Sequence, residues 1–333
     1  MNATINLEKK HFPVLLDELI SIISPLYGGT FIDCTFGQGG YSKKILSNKN
    51  NIVIALDRDS KTLTTARKLT KEFKDRFIFV NEKFSNIDKL KFSNRNLKAI
   101  IFDLGYSINQ INDLEKGLSF NSKGKLNMRL GKNLISAHDV VNKMPYEELS
   151  KVFRYFGEEQ KSKIIAKNII NIRSKKIILT EDLVNIIENI KKKHSKINKS
   201  TKVFQSLRIL VNNEISQLML GLINSFKLLP IGGILAVVTF HSIEDRIVKF
   251  FFKNYSEDKK NSRYFPEIKK NKKIFKIINK KPITPSKNEI ILNPPSRSAK
   301  LRYAKKIDNF NDFNDFFEKF EYLLKIEKFG DNI

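Results

Sequence analysis

Two hydrophobic periods alternate along the first 110 residues. Pro13 opens a segment in which Leu15, Leu19, Ile22 and Ile23 share one helical face. Short, nearly unbroken apolar runs follow at TFIDCT (30–35), NIVIALD (51–57), RFIFVN (76–81) and LKAIIFD (97–103). Runs of this length bounded by polar residues suit strands covered on both faces. A glycine turn, FGQGGYS (36–42), and a helix separate the first two runs, and Ser60 is placed to cap the helix after the second. Strands alternating with helices predict parallel βαβ units in a doubly wound α/β sheet.

From about 110 to 200 no segment reads as a strand. Leu149, Val152, Phe153 and Phe156 share one helical face, as do Leu183, Ile186, Ile187 and Ile190 after a Thr180 cap. Strand character returns at GGILAVVTF (232–240), after a long amphipathic segment over 201–227. The pattern predicts a helical domain inserted into an α/β core. The expected boundaries are 1–110 for the first part of the core, 111–202 for the insert, 203–306 for the second part with a basic tail, and 307–333 for a C-terminal amphipathic helix carrying Phe313, Phe316, Phe317 and Phe320. Residues 255–290 read as a loop or weak hairpin, and there is no internal repeat.

Charge sharpens this outline. The 333 residues carry 61 Lys+Arg against 35 Asp+Glu, a net charge of +26. Residues 161–208 hold 13 basic and 3 acidic residues, and 251–306 hold 17 and 4, whereas 1–110 hold 17 and 11. AT-biased coding would inflate lysine everywhere; it would not concentrate the surplus in two segments. That concentration favours a polyanionic partner, most simply nucleic acid. Cys34 stands alone, which excludes a disulfide framework or a cysteine-rich zinc site and suits a reducing compartment. His11, His138, His194 and His241 have no metal-ligand spacing, so no metal is expected. No apolar run approaches a membrane span and the N-terminus has no signal-peptide pattern, so a cytoplasmic protein without membrane association is expected.

The candidate chemistry lies at the strand ends. Gly37, Gly39 and Gly40 sit where a strand ends and a helix begins, a place where backbone can approach a ligand closely. Asp57 ends the next strand about 20 residues on, where a carboxylate can accept both hydroxyls of a ribose. The spacing is G-x-G-G after Asp33, which suits S-adenosylmethionine at least as well as NAD; both stay open on these residues alone. Asp103-Leu104-Gly105-Tyr106-Ser107 ends the last strand of the first part. In methyltransferases acting on exocyclic amines, a polar residue there accepts the amine hydrogen bond and aims the nitrogen lone pair. Asn293-Pro294-Pro295-Ser296 mimics an amino-methyltransferase string but lacks its aromatic residue and reads as a Pro-rich loop. Ser242 and Asp245 fit a helix capping box, with His241 either structural or lining the site.

Together the strings resemble one family, the bacterial-type 16S rRNA (cytosine-N4)-methyltransferases. The matching stretches begin with HFPVLLDEL (11–19), DCTFGQGGYS (33–42), ALDRD (55–59), FDLGYS (102–107) and KGLSF (116–120). They continue in order with LNMRL (126–130), FGEEQ (156–160), VFQSLRILVNNE (203–214), TFHSIEDRIVKFF (239–251) and NPPSRSAKLR (293–302). The resemblance implies a Rossmann-like class I methyltransferase core, α/β, with an inserted helical substrate-recognition domain. It implies S-adenosylmethionine as cofactor and N4 of a cytosine in the decoding region of small-subunit rRNA as target. The partner is then 16S rRNA or the small ribosomal subunit, with a homodimer as an allowed state. Carried across motif by motif, the cofactor contacts are Gly39, Gly40 and Tyr41 at the turn, Asp57 on the ribose, Phe84 beside the adenine, Asp103 and Gln110; Asp103 also orients the amine.

The chain departs from the family pattern at four places. Tyr41 stands where His is usual, and D-L-G-V-S-S is here D-L-G-Y-S-I, with Tyr106 in place of a small residue. D-M-R-M becomes Asn127-Met128-Arg129-Leu130, which removes a carboxylate, and the H-P-A-T-R-T-F-Q segment is degraded over 198–205. Tyr106 and Asn127 bear on the target pocket and motivate a second reading, a cofactor-binding ribosome assembly factor with little activity. An NAD-dependent enzyme is the third.

Overall fold

The computed structural model describes residues 13–90, 96–106, 110–111, 113, 116–122, 124–131, 135–191, 198–256, 273–331 and 333. His11, His194 and the lysines of 192–196 and 259–272 lie outside the described residues. The chain forms two compact units: Met1–Ser107 with Leu222–Asp312, and Ile108–Gly221 with Phe313–Ile333.

The first unit is built on seven strands: β1 (Gly29–Asp33), β2 (Asn51–Leu56), β3 (Phe77–Val80), β4 (Leu97–Asp103), β5 (Ile234–Thr239), β6 (Phe275–Ile277) and β7 (Lys300–Lys306), in spatial order β3-β2-β1-β4-β5-β7-β6. The β1–β2, β2–β3, β1–β4 and β4–β5 pairs are parallel, and β7 runs antiparallel to both of its neighbours. Helices α1 (Leu16–Ile23), α2 (Gly40–Leu46) and α3 (Leu63–Phe73) belong to this unit. Along β4, Ala99 and Ile101 join a core cluster with Val14, Leu19, Phe31, Ile45 and Leu69 on one face, while the intervening Ile100 and Phe102 are fully buried on the other. Burial on both faces is why the strands read as continuous apolar runs. This is the α/β core that the patterning predicts.

Three local expectations change. The cap before α3 is Asp59, whose side chain accepts the Lys61 N–H; Ser60 starts a single 3-10 turn instead. Strands β6 and β7 form an antiparallel pair at the sheet edge that the pattern missed, because four of the seven residues of β7 are Lys or Arg. Lys306 is buried: its Nζ donates to the Phe226 and Leu229 carbonyls at 2.8 and 2.7 Å and stands 4.3 Å from the Phe226 ring centre. The Pro-rich string at 294–298 is a 3-10 turn.

The second unit contains α4 (Ala137–Lys143), α5 (Tyr146–Tyr155), α6 (Ser162–Arg173), α7 (Thr180–Ile190) and α8 (Thr201–Val211), and no strand among its described residues. Helix α9 (Glu214–Leu228) carries the chain back to the first unit, which also holds α10 (Ser242–Asn254) and α11 (Lys287–Leu292). Leu149, Val152, Phe153 and Phe156 are all fully buried, as their periodicity predicts. Thr180 is not the cap of α7; its hydroxyl donates to the Gly124 carbonyl at 2.8 Å, and Asp182 accepts the Leu179 N–H at 3.0 Å.

The units meet in sequence at 107/108 and 221/222, against expected boundaries at 110 and 202. The amphipathic segment from 201 looks like a covering helix of the sheet; instead α8 closes the helical unit. Gln205 donates to the Phe156 carbonyl at 3.2 Å, and the Phe204 ring packs edge-on to Phe120. The C-terminal helix α12 (Asn314–Gly330) joins the same unit through buried Phe316, Phe320, Leu323 and Ile326. There Glu327 accepts the Ile215 and Ser216 N–H groups at 2.7 and 2.9 Å.

Candidate active site

Asp33, Asp57 and Asp103 stand at the carboxyl ends of β1, β2 and β4, the edge where open α/β sheets bind ligands. Strand order reverses between β1 and β4, so Asp33 and Asp103 flank the switch point. They are linked through Thr35, whose Oγ1 accepts the Asp103 N–H at 2.7 Å and whose N–H donates to Asp33 Oδ1 at 3.3 Å.

The glycine turn is fixed by contacts on three sides. Gly37 (φ +53) donates its N–H to Asp57 Oδ2 at 2.8 Å, tying the turn to the next strand end. Gly39 (φ +74) leaves room for Phe36: a Cβ there would stand 2.7 Å from that ring. At Gly40 a Cβ would come within 2.0 Å of Pro13 Cγ, so the segment before α1 lies directly on the turn. Tyr41 is buried and its hydroxyl donates to the Val14 carbonyl. Its side chain is therefore committed to packing, and only its backbone is left for a ligand.

Asp57 keeps ligand capacity. Oδ2 and Oδ1 each accept one backbone N–H, from Gly37 and from Asp59 at 2.8 Å. A carboxylate offers about four lone-pair sites, so two are left for hydroxyl donors. Burial pushes its pKa up to about 6 against the pull of those two bonds. Phe84 is half-buried and packs edge-on to Phe102, 5.3 Å between ring centres, beside the β4 end.

Asp103 is the most perturbed group of the three. Its Oδ1 is buried with no hydrogen-bond partner among the described residues. Burial, then the negative charges of Asp33 and Glu244, push its pKa up to about 8. Asp33 is raised to about 6, again chiefly by burial and further by Asp57, against bonds from Ser42 and Thr35. Three neighbouring strand ends thus carry more negative charge than the site can hold ionised. Such a site favours a bound cation, and a buried acceptor without a donor favours a ligand N–H.

Beyond β5, His241 is the cap of α10. Its Nδ1 accepts the Glu244 N–H at 3.4 Å, and Glu244 Oε2 accepts the Phe240 and His241 N–H groups at 2.9 and 3.3 Å. The capping box is one residue ahead of the expected Ser242/Asp245 pair. Asp245 instead binds Arg302 at 2.7 Å and Lys300 at 3.0 Å; burial works to raise it, but these cations hold it below the usual carboxylate range. The sequence gives no sign that Glu244 bears on Asp103, because the influence crosses from β5 to β4.

The structure therefore brings Gly39, Gly40, Asp57, Phe84 and Asp103 to one edge of the first unit and turns the Tyr41 side chain away. Gln110 belongs to the helical unit.

Residues 8–307 match the model of the MraW methylase family. The chain belongs to that family. Relatives within it include the ribosomal RNA small subunit methyltransferase H of Bartonella bacilliformis, 40% identical over 88% of this chain and 89% of that protein. The protein of the same name from Rickettsia bellii is 40% identical over 90% of this chain and all of its own. Among solved structures, an rRNA methylase from Streptococcus thermophilus aligns over 90% of this chain and 99% of its own with 10% identity and a TM-score of 0.36, too distant to bear on function. The MraW match ends at 307, so α12 lies beyond it. Among the described residues no helix is long and apolar enough to cross a membrane.

Proposed function

We propose that this protein transfers a methyl group from S-adenosylmethionine to the exocyclic N4 of a cytosine in small-subunit rRNA. Membership of the MraW methylase family makes it an S-adenosylmethionine-dependent small-subunit rRNA methyltransferase. The observation that carries the reading onto this chain's own residues is the unpartnered, buried Asp103 Oδ1 at the switch point of the sheet.

The residues present fit the cofactor. Asp57 retains acceptor sites for the ribose hydroxyls, the tight approach at Gly39 and Gly40 keeps side chains out of the turn, and Phe84 offers a ring for the adenine. The surplus negative charge of Asp33 and Asp103 suits the cationic methionine end. S-Adenosylmethionine supplies an electrophilic methyl on positively charged sulfur. Asp103, once ionised, accepts a hydrogen bond from the cytosine amine and aims its lone pair along the line of transfer. Bound there, the cofactor would supply the methyl carbon to the amine nitrogen and keep the electron pair of its carbon–sulfur bond, and Asp103 would be the adjacent acceptor for the proton the amine gives up. Reaching an exocyclic amine requires the base to be unstacked, in a loop or flipped out. The protein acts in the cytoplasm, and its basic segments hold rRNA phosphates.

The test is incubation with labelled S-adenosylmethionine and undermethylated small subunits. Label at cytosine N4 that falls steeply in Asp103→Ala supports the reading. Tight binding of cofactor and subunit with no turnover would instead favour the assembly-factor reading that Asn127 and Tyr106 motivate.

A further inference from the structure

The helical unit holds, around Met128, a loop in a conformation its sequence does not favour. Across Leu126–Leu130, Leu126, Met128 and Leu130 are buried, Asn127 is half-buried and Arg129 is exposed. Met128 sits at φ +56, a left-handed conformation that a long apolar side chain rarely adopts.

Contacts on both sides hold it there. Asn212, buried at the end of α8, donates from Nδ2 to the Met128 carbonyl at 2.9 Å and accepts the Leu130 N–H on Oδ1 at 2.8 Å. The same Nδ2 donates to the Arg208 carbonyl at 3.0 Å, which fixes the amide to its helix. Met128 N–H donates to the Lys116 carbonyl and His138 N–H to the Leu126 carbonyl, both at 2.6 Å. Gly117 approaches so closely that a Cβ there would stand 2.9 Å from the Lys125 carbonyl oxygen. Costly backbone persists only where surrounding structure over-determines it, and it clusters where a side chain must be held for a ligand.

The side chain held out is Arg129. Its Nε donates to Asn127 Oδ1 at 2.7 Å, which fixes the guanidinium plane. Its two terminal nitrogens have no partner among the described residues. Asn127 is neutral, so this bond brings no carboxylate to offset the guanidinium. A planar fork pre-oriented in this way matches two oxygens of a phosphate. The helical unit carries 24 Lys+Arg against 16 acids, its surplus lying over 161–208 with 13 against 3, and a surplus of cations favours a polyanion over an isolated carboxylate.

We propose that Arg129 is a phosphate-binding residue of the helical unit, held out on the Asn212-clamped loop to take one phosphodiester of the RNA substrate. The proposal rests on the rRNA reading above. Its test compares wild type, Arg129→Gln and Arg129→Lys with undermethylated small subunits. Arg129 is exposed, so both variants fold, which circular dichroism checks. Both raise the KM for subunits about tenfold or more, because lysine keeps the charge but not the fork. Cofactor affinity stays at the wild-type value, and the log–log salt slope of subunit binding in Arg129→Gln becomes shallower by about one. A wild-type KM and salt slope in Arg129→Gln would overturn the proposal, as would full rescue by lysine. Wild-type protein that methylates no cytosine would sink the functional reading instead, so the two failures are distinct.

Discussion

Replacing Asp103 by Asn removes the titratable group at the switch point while keeping its size. In wild type the carboxyl has a pKa of about 8, so at pH 7 only about a tenth of the molecules carry it ionised. A cationic sulfonium binds the ionised form, so binding at pH 7 must first remove a proton, at a cost of about 1.4 kcal/mol for the one unit between 7 and 8. Three consequences follow at pH 7: about 0.9 proton is released per cofactor, affinity is about tenfold below its alkaline limit, and the deficit vanishes by about pH 9. S-Adenosylhomocysteine shares every group of the cofactor except the positive sulfur and methyl. Groups common to both ligands cancel in the comparison, which isolates Asp103. Isothermal titration in two buffers of different ionisation heat reads the protons directly. The affinity ratio of the two ligands rises about tenfold between pH 7 and 9 in wild type and stays flat in Asp103→Asn. Equal proton release for both ligands, or an unchanged pH profile in the variant, would refute the assignment of the cation to this carboxyl.

Gly40→Ala sets a methyl group 2.0 Å from Pro13 Cγ and so costs about 1–3 kcal/mol of stability, seen as a lowered Tm, and weakens cofactor binding. Glu327, buried in the helical unit, is raised to about 8 mainly by burial, against bonds from Ser216 and Ile215. Its protonated form is the one that favours folding, so it stabilises fully below about pH 4.5 and loses that contribution as pH climbs to about 8. Thermal melts from pH 5 to 8 fall less steeply in Glu327→Gln. Lys276 and Lys305 are exposed and face each other across β6 and β7, a like-charge pair that an RNA phosphate would relieve. Changing both to Gln makes the salt slope of rRNA binding shallower by roughly one to two and leaves cofactor affinity unchanged.

Much of the α/β core was readable because each strand is buried on both faces and punctuated by polar turns. Asp57 and Asp103 could be picked out because a strand end with an acid is a local pattern. What stayed hidden depends on partners distant in sequence. Strand β7, between β5 and β6, looks too charged to be sheet until Asp245 pairs with Lys300 and Arg302, and the Phe226 and Leu229 carbonyls satisfy Lys306. His241 as a cap mimics a Ser242–Asp245 box shifted by one residue. Tyr41 reads as a cofactor contact from the motif, yet the Val14 carbonyl draws its hydroxyl inward. The clamp of Asn212 on Met128 joins residues 84 apart, and nothing local marks it. The boundary at 221 was missed for a related reason: amphipathicity shows that α8 buries a face but not against which unit.

The central claim is methyl transfer to cytosine N4, and nucleoside mass spectrometry of small-subunit rRNA tests it most directly. Cells lacking the protein lose one N4-methylated cytosine; wild-type protein restores it, and Asp103→Ala does not. An unchanged complement of N4-methylcytosine in cells lacking the protein would contradict the account.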